Sequence, residues 1–312
     1  MTIDFSEVII QLLIMLTIII TGIIAKRFKI LDDHGDRVIS SLIVNVTTPA
    51  LIISAMTLDL DPQIIKNIII ITFLTLFVLV LSWIFSIYMI KKDDKIEDAN
   101  RVYRFAIVFG NASFLGFPLC YALFGKIGLL YASIYSAMQD IFFWSAGVSI
   151  MTGGKGKKRF TNMLNPNMAA IVIGIIILFA NIKLPVFLDS ALSSVGDATM
   201  PLALMMVGSG FSRFSLDAEG LKSMAKVILS KLIILPIIVG ALILKLPIDD
   251  IVKYVLLLEF AMPTAASTVV MSRNFDRDYT LASKLVMITT LISMVTIPLL
   301  IFLAKSALGL SL

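Results

Sequence analysis

The chain contains ten apolar stretches of the length that crosses a lipid bilayer as a helix. A transmembrane helix needs about 20 mostly apolar residues, because the hydrocarbon core is about 30 Å thick. The stretches lie near 8–25, 38–58, 64–90, 102–124, 128–150, 163–182, 186–211, 222–246, 252–272 and 281–304. Only 15% of the residues are charged, whereas soluble domains carry about 25%. The sequence therefore predicts an all-α polytopic membrane protein with ten transmembrane helices.

The positively charged residues are concentrated in alternate loops of this arrangement. Loops on one side hold 19 of the 26 lysines and arginines, loops on the other side hold six, and Lys231 lies inside a span. Cytoplasmic loops carry an excess of such residues. We therefore expect a multi-pass protein of the cell membrane with both termini outside the cytoplasm. The net charge of +5 reflects this topology, and we expect no nucleic-acid partner.

A shift of 152 residues brings the two halves of the chain into register. The aligned pairs are Pro49 with Pro201, Asn45 with Asp197, and Asn111 with Pro263. The predicted repeats are residues 1–152 and 163–312, joined by a short basic cytoplasmic loop at 153–162. Each repeat holds five spans, so the second must be inverted relative to the first. Inverted repeats are typical of secondary transporters.

The fourth and ninth spans contain residues that interrupt helices. The stretch FGNASFLGFP (109–118) contains Gly110, Gly116 and Pro118, and the ninth span contains Pro263 followed by Thr264. Proline removes a backbone donor, and glycine weakens a helix. Transporters of this plan bind their substrates where two such broken helices meet near the midplane. We therefore expect the substrate site at these two breaks.

Four charged residues lie away from the ends of the predicted spans, where a charge costs about 2.5–3.5 kcal/mol on insertion scales. They are Asp140, Asp197, Lys231 and Glu259. Glu259 lies four residues before Pro263, so it is placed to bind Na⁺ or to carry a proton, or to form a solvated or paired part of the cavity wall. Lys231 is the only cation deep in a span. It either neutralises Asp140 or Glu259, or attracts an anionic substrate.

The remaining polar residues of the spans have structural alternatives as well. Asp140 follows Gln139 in the middle of the fifth span, and it is either functional or part of a structural pair. For Asn45 and Asp197 we expect structural bonds to backbone carbonyls that Pro49 and Pro201 free.

Nothing in the sequence predicts a metal site or another cofactor. The only histidine, His34, lies among charged loop residues, and the chain has a single cysteine. The spacing of polar residues shows no catalytic arrangement, so we do not expect an enzyme. Coupling to Na⁺ or to protons remains open.

Several motifs of the chain resemble the auxin efflux carrier family, which includes plant auxin exporters and bacterial malate/malonate permease-like proteins. The motifs are NASFLGFP (111–118), AMPTAAST (261–268), MPLALMMVGSGF (200–211) and TTPAL (47–51). The resemblance covers about residues 5–306. The short basic loop between the fifth and sixth spans is similar to that of the bacterial members.

The resemblance implies an elevator-type carrier of small organic anions, such as dicarboxylates or auxin-like carboxylates. It implies a scaffold of spans at 8–58 and 163–211, often forming a homodimer, and a transport domain at 64–150 and 222–304. In the family an asparagine at the position of Asn111 helps to bind the substrate carboxylate. Thr264 stands where the plant pattern leads one to expect a polar amide.

Two other functions remain open. A sodium-coupled symporter of the related bile-acid type shares the ten-span inverted plan. A non-transporting membrane sensor would require a dedicated partner, because the longest predicted loops hold about a dozen residues.

Overall fold

The computed structural model describes residues 5–90, 97–154, 165–211 and 218–308, and all regular elements in these ranges are helices. The α-helices are α1 (Phe5–Arg27), α2 (Asp33–Leu42), α3 (Thr48–Ala55), α4 (Pro62–Met89), α5 (Glu97–Val108), α6 (Phe117–Phe142), α7 (Val148–Thr152), α8 (Pro166–Phe179), α9 (Val186–Asp197), α10 (Thr199–Phe211), α11 (Ala218–Leu229), α12 (Leu235–Ile243), α13 (Asp250–Ala261), α14 (Ser267–Asn274) and α15 (Tyr279–Leu308). Short π-helical segments cover Ile43–Thr47, Ala112–Gly116, Phe143–Gly147 and Ser230–Ile234.

Helical structure lies over every one of the apolar stretches predicted from the sequence. Six helical segments within the described residues are long and apolar enough to cross a membrane: His34–Ala55, Pro62–Met89, Ala112–Thr152, Val186–Gly210, Met224–Ile243 and Tyr279–Ala304. The prediction of an all-α, multi-pass membrane protein is therefore confirmed. The number of ten crossings and the inverted repeat stay predictions.

The segment Ala112–Thr152 is too long for a single crossing, and it is interrupted at Gly125. This residue has φ +63° and ψ −151° inside α6, a conformation that only glycine adopts readily. The chain therefore turns between Phe124 and Lys126, where the sequence predicts the end of the fourth span and the start of the fifth.

Polar side chains fix where several helices begin. The carboxylates of Asp61 and Asp249 and the side-chain oxygen of Asn165 accept backbone N–H groups in the first turns of α4, α13 and α8. These bonds satisfy donors that the helix itself leaves free. Pro62 and Pro166 occupy the first positions of α4 and α8, where a missing N–H has no cost.

Three of the π-helical segments lie directly before a proline inside a longer helical run. The prolines are Pro49, Pro118 and Pro236, each the second residue of the following α-helix. A proline ring collides with the carbonyl group of the preceding turn. A π turn inserts one extra residue, and we infer that this extra residue moves that carbonyl away.

The predicted bonds from Asn45 and Asp197 to freed carbonyls are not formed. The Asn45 amide donates to the Ser41 carbonyl at 2.8 Å and to the Ser41 hydroxyl at 3.0 Å. Asp197 ends α9, and its side chain is hydrogen-bonded with the Tyr121 hydroxyl instead. Pro201 lies in the first turn of α10, where helical N–H groups have no partner in any case.

The helices pack as two groups. Group I consists of α1–α3 and α8–α10, in which α1 lies against α10 and α3 lies against α8 and α9. Group II consists of α4–α7 and α11–α15, in which α6 contacts α4 and α13, and α14 contacts α15. The groups meet where α3 and α10 contact α6 and the π segment before it. Group I covers the ranges predicted as scaffold, but the division into fixed and moving parts stays a prediction.

Group I is held by a close approach of α1 and α10. A Cβ atom at Gly22 would lie 2.1 Å from the Met205 carbonyl oxygen, and one at Gly208 would lie 2.0 Å from the Ile19 carbonyl oxygen. Small residues allow such backbone contact between membrane helices. Both positions therefore require glycine.

Candidate functional site at the helix crossing

The two breaks predicted from the sequence meet in the structure. The chain between α5 and the π segment at Ala112–Gly116 runs antiparallel to the chain between α13 and α14, in an isolated β-bridge of Gly110 with Thr264. The Asn111 N–H group donates to the Pro263 carbonyl at 2.8 Å, and the Ala265 N–H group donates to the Phe109 carbonyl at 3.0 Å. Backbone groups that an intact helix would satisfy thus satisfy each other across the crossing.

Buried polar side chains complete the crossing. The Gln139 side chain accepts the Gly110 N–H group at 3.3 Å and donates to the Gly110 carbonyl at 3.0 Å. The Thr289 hydroxyl accepts the Thr264 N–H group at 3.1 Å. The Thr264 hydroxyl donates to the Ala106 carbonyl at 3.2 Å. Gln139 and Thr264 therefore hold the crossing together.

Thr289 is a residue of the site that the sequence analysis missed. It belongs to α15, in the tenth predicted span, and it is fully buried. The 152-residue shift places it two positions from the counterpart of Gln139. The sequence signal that could have revealed Thr289 is therefore a polar residue in an apolar span, close to the repeat counterpart of Gln139.

A cavity of about 200 Å³ lies beside the crossing, between group I and group II. Its lining comprises Ser40, Asn111, Phe114, Met206, Val207, Gly210, Ala266, Val286, Met287 and Thr290. Asn111 is almost fully buried, and its side chain has no hydrogen-bond partner among the described residues. The amide is therefore available to a molecule in the cavity.

The chemistry of this cavity is mainly apolar. Ser40, Asn111 and Thr290 are the polar residues of its described lining, and none of that lining is charged. Pockets of this kind use a few polar groups to orient a ligand and apolar contact to hold it. The cavity therefore suits a small molecule with one polar end.

Glu259 lies on the other side of the same π segment. It is fully buried in α13, and its Oε1 atom is 3.6 Å from the Cys120 sulfur. Its Oε2 atom has no hydrogen-bond partner within the described residues. A Cβ atom at Gly116 would lie 2.2 Å from Oε2. Gly116 therefore leaves the space that the carboxyl group occupies.

Lys231 is the buried cation of the crossing. Its side chain is fully buried, and its Nζ atom lies 5.2 Å from the centre of the Phe260 ring and 3.3 Å from the position of a Cβ atom at Gly110. Within the described part of the chain, Nζ has no hydrogen-bond partner. The predicted pairing of Lys231 with Asp140 or Glu259 is therefore not formed, because the ammonium group lies against Phe260 and Gly110 instead.

Asp140 belongs to another part of the molecule. Its carboxylate accepts a hydrogen bond from the Asn165 amide at 3.1 Å, at the start of α8. It thus links group II to group I and does not contribute to the crossing.

Four other predicted residues also lie outside the crossing. Pro49 and Asn45 belong to the run from α2 to α3, and Pro201 belongs to α10. The Asp197 carboxylate lies beside the Tyr121 hydroxyl of α6. Pro118, in contrast, is the second residue of α6, directly after the π segment that ends at Gly116.

Comparison with known proteins identifies the family of this chain. An uncharacterized transporter of Methanocaldococcus jannaschii is 27% identical over 300 residues, which cover 92% of this chain and 96% of that protein. An uncharacterized transporter of Methanothermobacter thermautotrophicus is 24% identical over 292 residues, which cover 91% and 94% of the two chains. A family model described as membrane transport protein matches residues 7–301. The resemblance to the auxin efflux carrier family is thereby confirmed, and the chain belongs to the membrane transport protein family.

Proposed function

We propose that the chain is a secondary active transporter that moves small organic anions across the cell membrane. The observation that carries the proposal is the crossing itself. The two broken stretches pair through Gly110 and Thr264, and the unpartnered Asn111 amide faces a cavity between the two helix groups. Family membership and the transporter names of the relatives support transport as the general activity.

The transport movement in this proposal is an elevator movement of group II against group I. The cavity lies between the groups, so a substrate bound to Asn111 would travel with group II while α10 stays in place. In this proposal the chain crosses the membrane ten times, in two inverted repeats. The presence of helices over all the predicted stretches supports this topology. Group I would form the homodimer, and both termini would lie outside the cytoplasm.

The lining of the cavity favours one class of organic anion. A carboxylate needs donors when it leaves water, because burying an unpaired charge is costly. The described lining offers the Asn111 amide and the Ser40 hydroxyl as donors, with apolar contact elsewhere, because the Thr290 hydroxyl already donates to the Val286 carbonyl at 2.7 Å. An auxin-like acid with one carboxylate and an apolar body fits these groups better than a dicarboxylate, which would bury a second charge.

Glu259 and Lys231 supply the charge balance in this proposal. The free Oε2 atom of Glu259 would accept the coupling cation, either a proton or Na⁺, and Lys231 would offset the charge of the bound anion. The same free carboxylate oxygen favours a second candidate, a sodium-coupled symporter of the bile-acid type. Na⁺ would need further oxygen ligands, whereas a proton needs only Glu259.

Transport by purified protein in liposomes tests the proposal. We would load the vesicles with labelled auxin-like acids or malate, and impose either a Na⁺ gradient or a pH gradient. The site is tested with Asn111→Ala, for which we expect at least about tenfold slower transport, since a charge-assisted hydrogen bond contributes about 1.5–3 kcal/mol. Asn45→Ala is the matched control, because Asn45 is exposed and bonds only within its own helical run.

The outcomes separate the parts of the proposal. Equal rates for the parent and Asn111→Ala would show that the substrate binds elsewhere. Transport driven by Na⁺ but not by a pH gradient would favour the sodium-coupled symporter. Faster transport of malate than of any monocarboxylate would contradict the substrate class.

A further inference from the structure

A second and larger cavity, of about 560 Å³, lies between the ends of α4, α5 and α7. Its lining comprises Trp83, Ile87, Glu97, Asn100, Arg101, Arg104, Ser149, Ile150, Gly153 and Gly154. It belongs to group II alone and is separate from the crossing. Positive charge is concentrated at this end of the predicted spans, which places the cavity at the cytoplasmic face of the membrane.

The arginines of this cavity retain donors that none of the described residues accepts. Arg104 directs both Nε and Nη2 at a single acceptor, the Ile90 carbonyl, at 3.0 and 2.6 Å. Three N–H groups of its guanidinium therefore have no partner among the described residues. Arg101 pairs with Glu97 and donates to the Met151 carbonyl, while its buried Nε atom has no partner there. The pair of Arg101 with Glu97 is neutral, so Arg104 leaves the described lining with a net positive charge.

An exposed apolar face of α4 leads to this cavity. Phe73, Phe77, Val80, Ile84 and Ile87 are each at least 40% exposed, and their spacing of four and three residues places them on one side of the helix. Ile87 also lines the cavity, next to Trp83. Tryptophan is frequent where the apolar core of a membrane meets the headgroups. The cavity therefore joins a cationic site to a lipid-facing surface.

We propose that this cavity binds the phosphate headgroup of an anionic phospholipid, with an acyl chain lying along the exposed face of α4. A phosphodiester accepts several hydrogen bonds and donates none, which matches the free N–H groups of Arg104. The arginine fork suits phosphate oxygens, and basic pockets at the cytoplasmic ends of membrane helices bind such headgroups. Free phosphate shares the headgroup chemistry but would leave the face of α4 unused. The site does not depend on the proposed transport function.

Lipid binding by delipidated protein in detergent tests this inference. We would measure binding and melting temperature with short-chain phosphatidylglycerol, with phosphatidylcholine of the same chain length, and with inorganic phosphate. The variants are Arg104→Gln, Arg104→Lys and Ile87→Glu. Arg273→Gln is the matched control, since Arg273 is another arginine predicted on the cytoplasmic side but packs on Tyr279 outside the cavity.

We expect phosphatidylglycerol to raise the melting temperature of the parent and of Arg273→Gln, and phosphatidylcholine to have little effect. Arg104→Gln should bind phosphatidylglycerol about tenfold more weakly, because a charged donor is lost. The affinity of Arg104→Lys for phosphatidylglycerol should lie between those of the parent and Arg104→Gln, because lysine keeps the positive charge but lacks the forked donors of the guanidinium group. Ile87→Glu should weaken the binding of phosphatidylglycerol but not that of phosphate.

Three results would overturn the inference. The first is equal binding of phosphatidylglycerol by the parent, Arg104→Gln and Arg104→Lys. The second is stabilisation by inorganic phosphate as large as that by the lipid, which would make the cavity a site for free anions. The third is equal stabilisation by phosphatidylcholine, which would show a general lipid effect. If Arg104→Gln does not fold, the binding of phosphatidylglycerol by Arg104→Lys and Ile87→Glu tests the inference in its place.

Discussion

Lys231 and Glu259 are fully buried beside the crossing, and neither has a charged partner within ion-pair distance among the described residues. Burying an unpaired charge opposes folding, so a sequence under selection for stability alone would replace it. These two residues therefore have the character of groups retained for function.

Replacing Lys231 by methionine separates function from stability. We expect Lys231→Met to fold with an unchanged or higher melting temperature, because an apolar side chain of similar length replaces an unpaired buried ammonium group. We expect transport to fall at least about tenfold, equivalent to about 1.4 kcal/mol, because the charge of the substrate is no longer offset. Melting curves and liposome transport give the two results. Lys66→Met, at an exposed position, is the control. A large loss of stability in Lys231→Met but not in Lys66→Met would show that Lys231 has a structural role.

The space opposite Glu259 gives a second prediction at the same scale. Gly116→Ala would bring a Cβ atom to 2.2 Å from Oε2 of Glu259. We expect a loss of about 1–3 kcal/mol of stability, as for other overpacked interiors. The double variant Gly116→Ala/Glu259→Ala should recover that stability without recovering transport. Gly240→Ala, where the nearest atom lies at 3.5 Å, should be tolerated. If the double variant is as unstable as Gly116→Ala, the added methyl group does not collide with the Glu259 side chain.

At the scale of helices, the sequence predicts the breaks well because proline and glycine act locally. Pro118, Gly110 and Pro263 mark both interrupted stretches, and the structure joins them in one bridge. The partners that hold the bridge are less predictable. Thr289 reaches Thr264 from another helix, and no local pattern reveals such a contact. The lack of a partner for Lys231 likewise depends on packing in three dimensions.

The side chain of Gln139 should determine the stability of the crossing. Gln139→Leu removes both hydrogen bonds to Gly110 and leaves a buried N–H and a buried carbonyl without partners. Each such group costs about 1–3 kcal/mol, so we expect a melting temperature several degrees lower and slower transport. Met138→Leu, the neighbouring change, should have little effect on either quantity. A stable and active Gln139→Leu would show that the backbone bridge is sufficient without its side-chain partner.

At the scale of the whole molecule, a polar contact joins the two groups beside the Gly125 turn. Lys126 of group II lies 3.2 Å from the Thr57 hydroxyl and 3.6 Å from the Asp189 carboxylate, and Thr57 donates to Asp189 at 3.0 Å. Thr57 follows α3 and Asp189 belongs to α9, so both are attached to group I. An elevator movement would separate Lys126 from these partners.

Cross-linking across this contact tests the movement. We expect the double variant Lys126→Cys/Asp189→Cys to lose at least about nine-tenths of its transport when a short reducible cross-linker joins the two cysteines, and to regain it after reduction, because the groups are then held together. The native Cys120 is fully buried, and each single variant treated with the cross-linker is a control. Full transport by the cross-linked protein would contradict the elevator movement.

At the same scale, the predicted repeat rests on the spacing of the spans and prolines and not on residue identity. The length of an apolar stretch and the alternation of positively charged loops are properties of long segments. Both can therefore be recognised in the sequence without knowledge of any contact between residues. The packing of group I against group II depends on which faces meet, and helices that are apolar all round give no such signal.

The bridge between Gly110 and Thr264 has a consequence for how this architecture can diverge. Its hydrogen bonds join main-chain atoms, from the Asn111 N–H group to the Pro263 oxygen and from the Ala265 N–H group to the Phe109 oxygen. Almost any residue supplies those atoms. The main chain therefore fixes the position of each break, whereas a side chain that makes no bond to the bridge, such as that of Asn111, can be exchanged without breaking it. Under the proposed function, proteins of this plan can thus acquire new substrates without rebuilding the backbone junction.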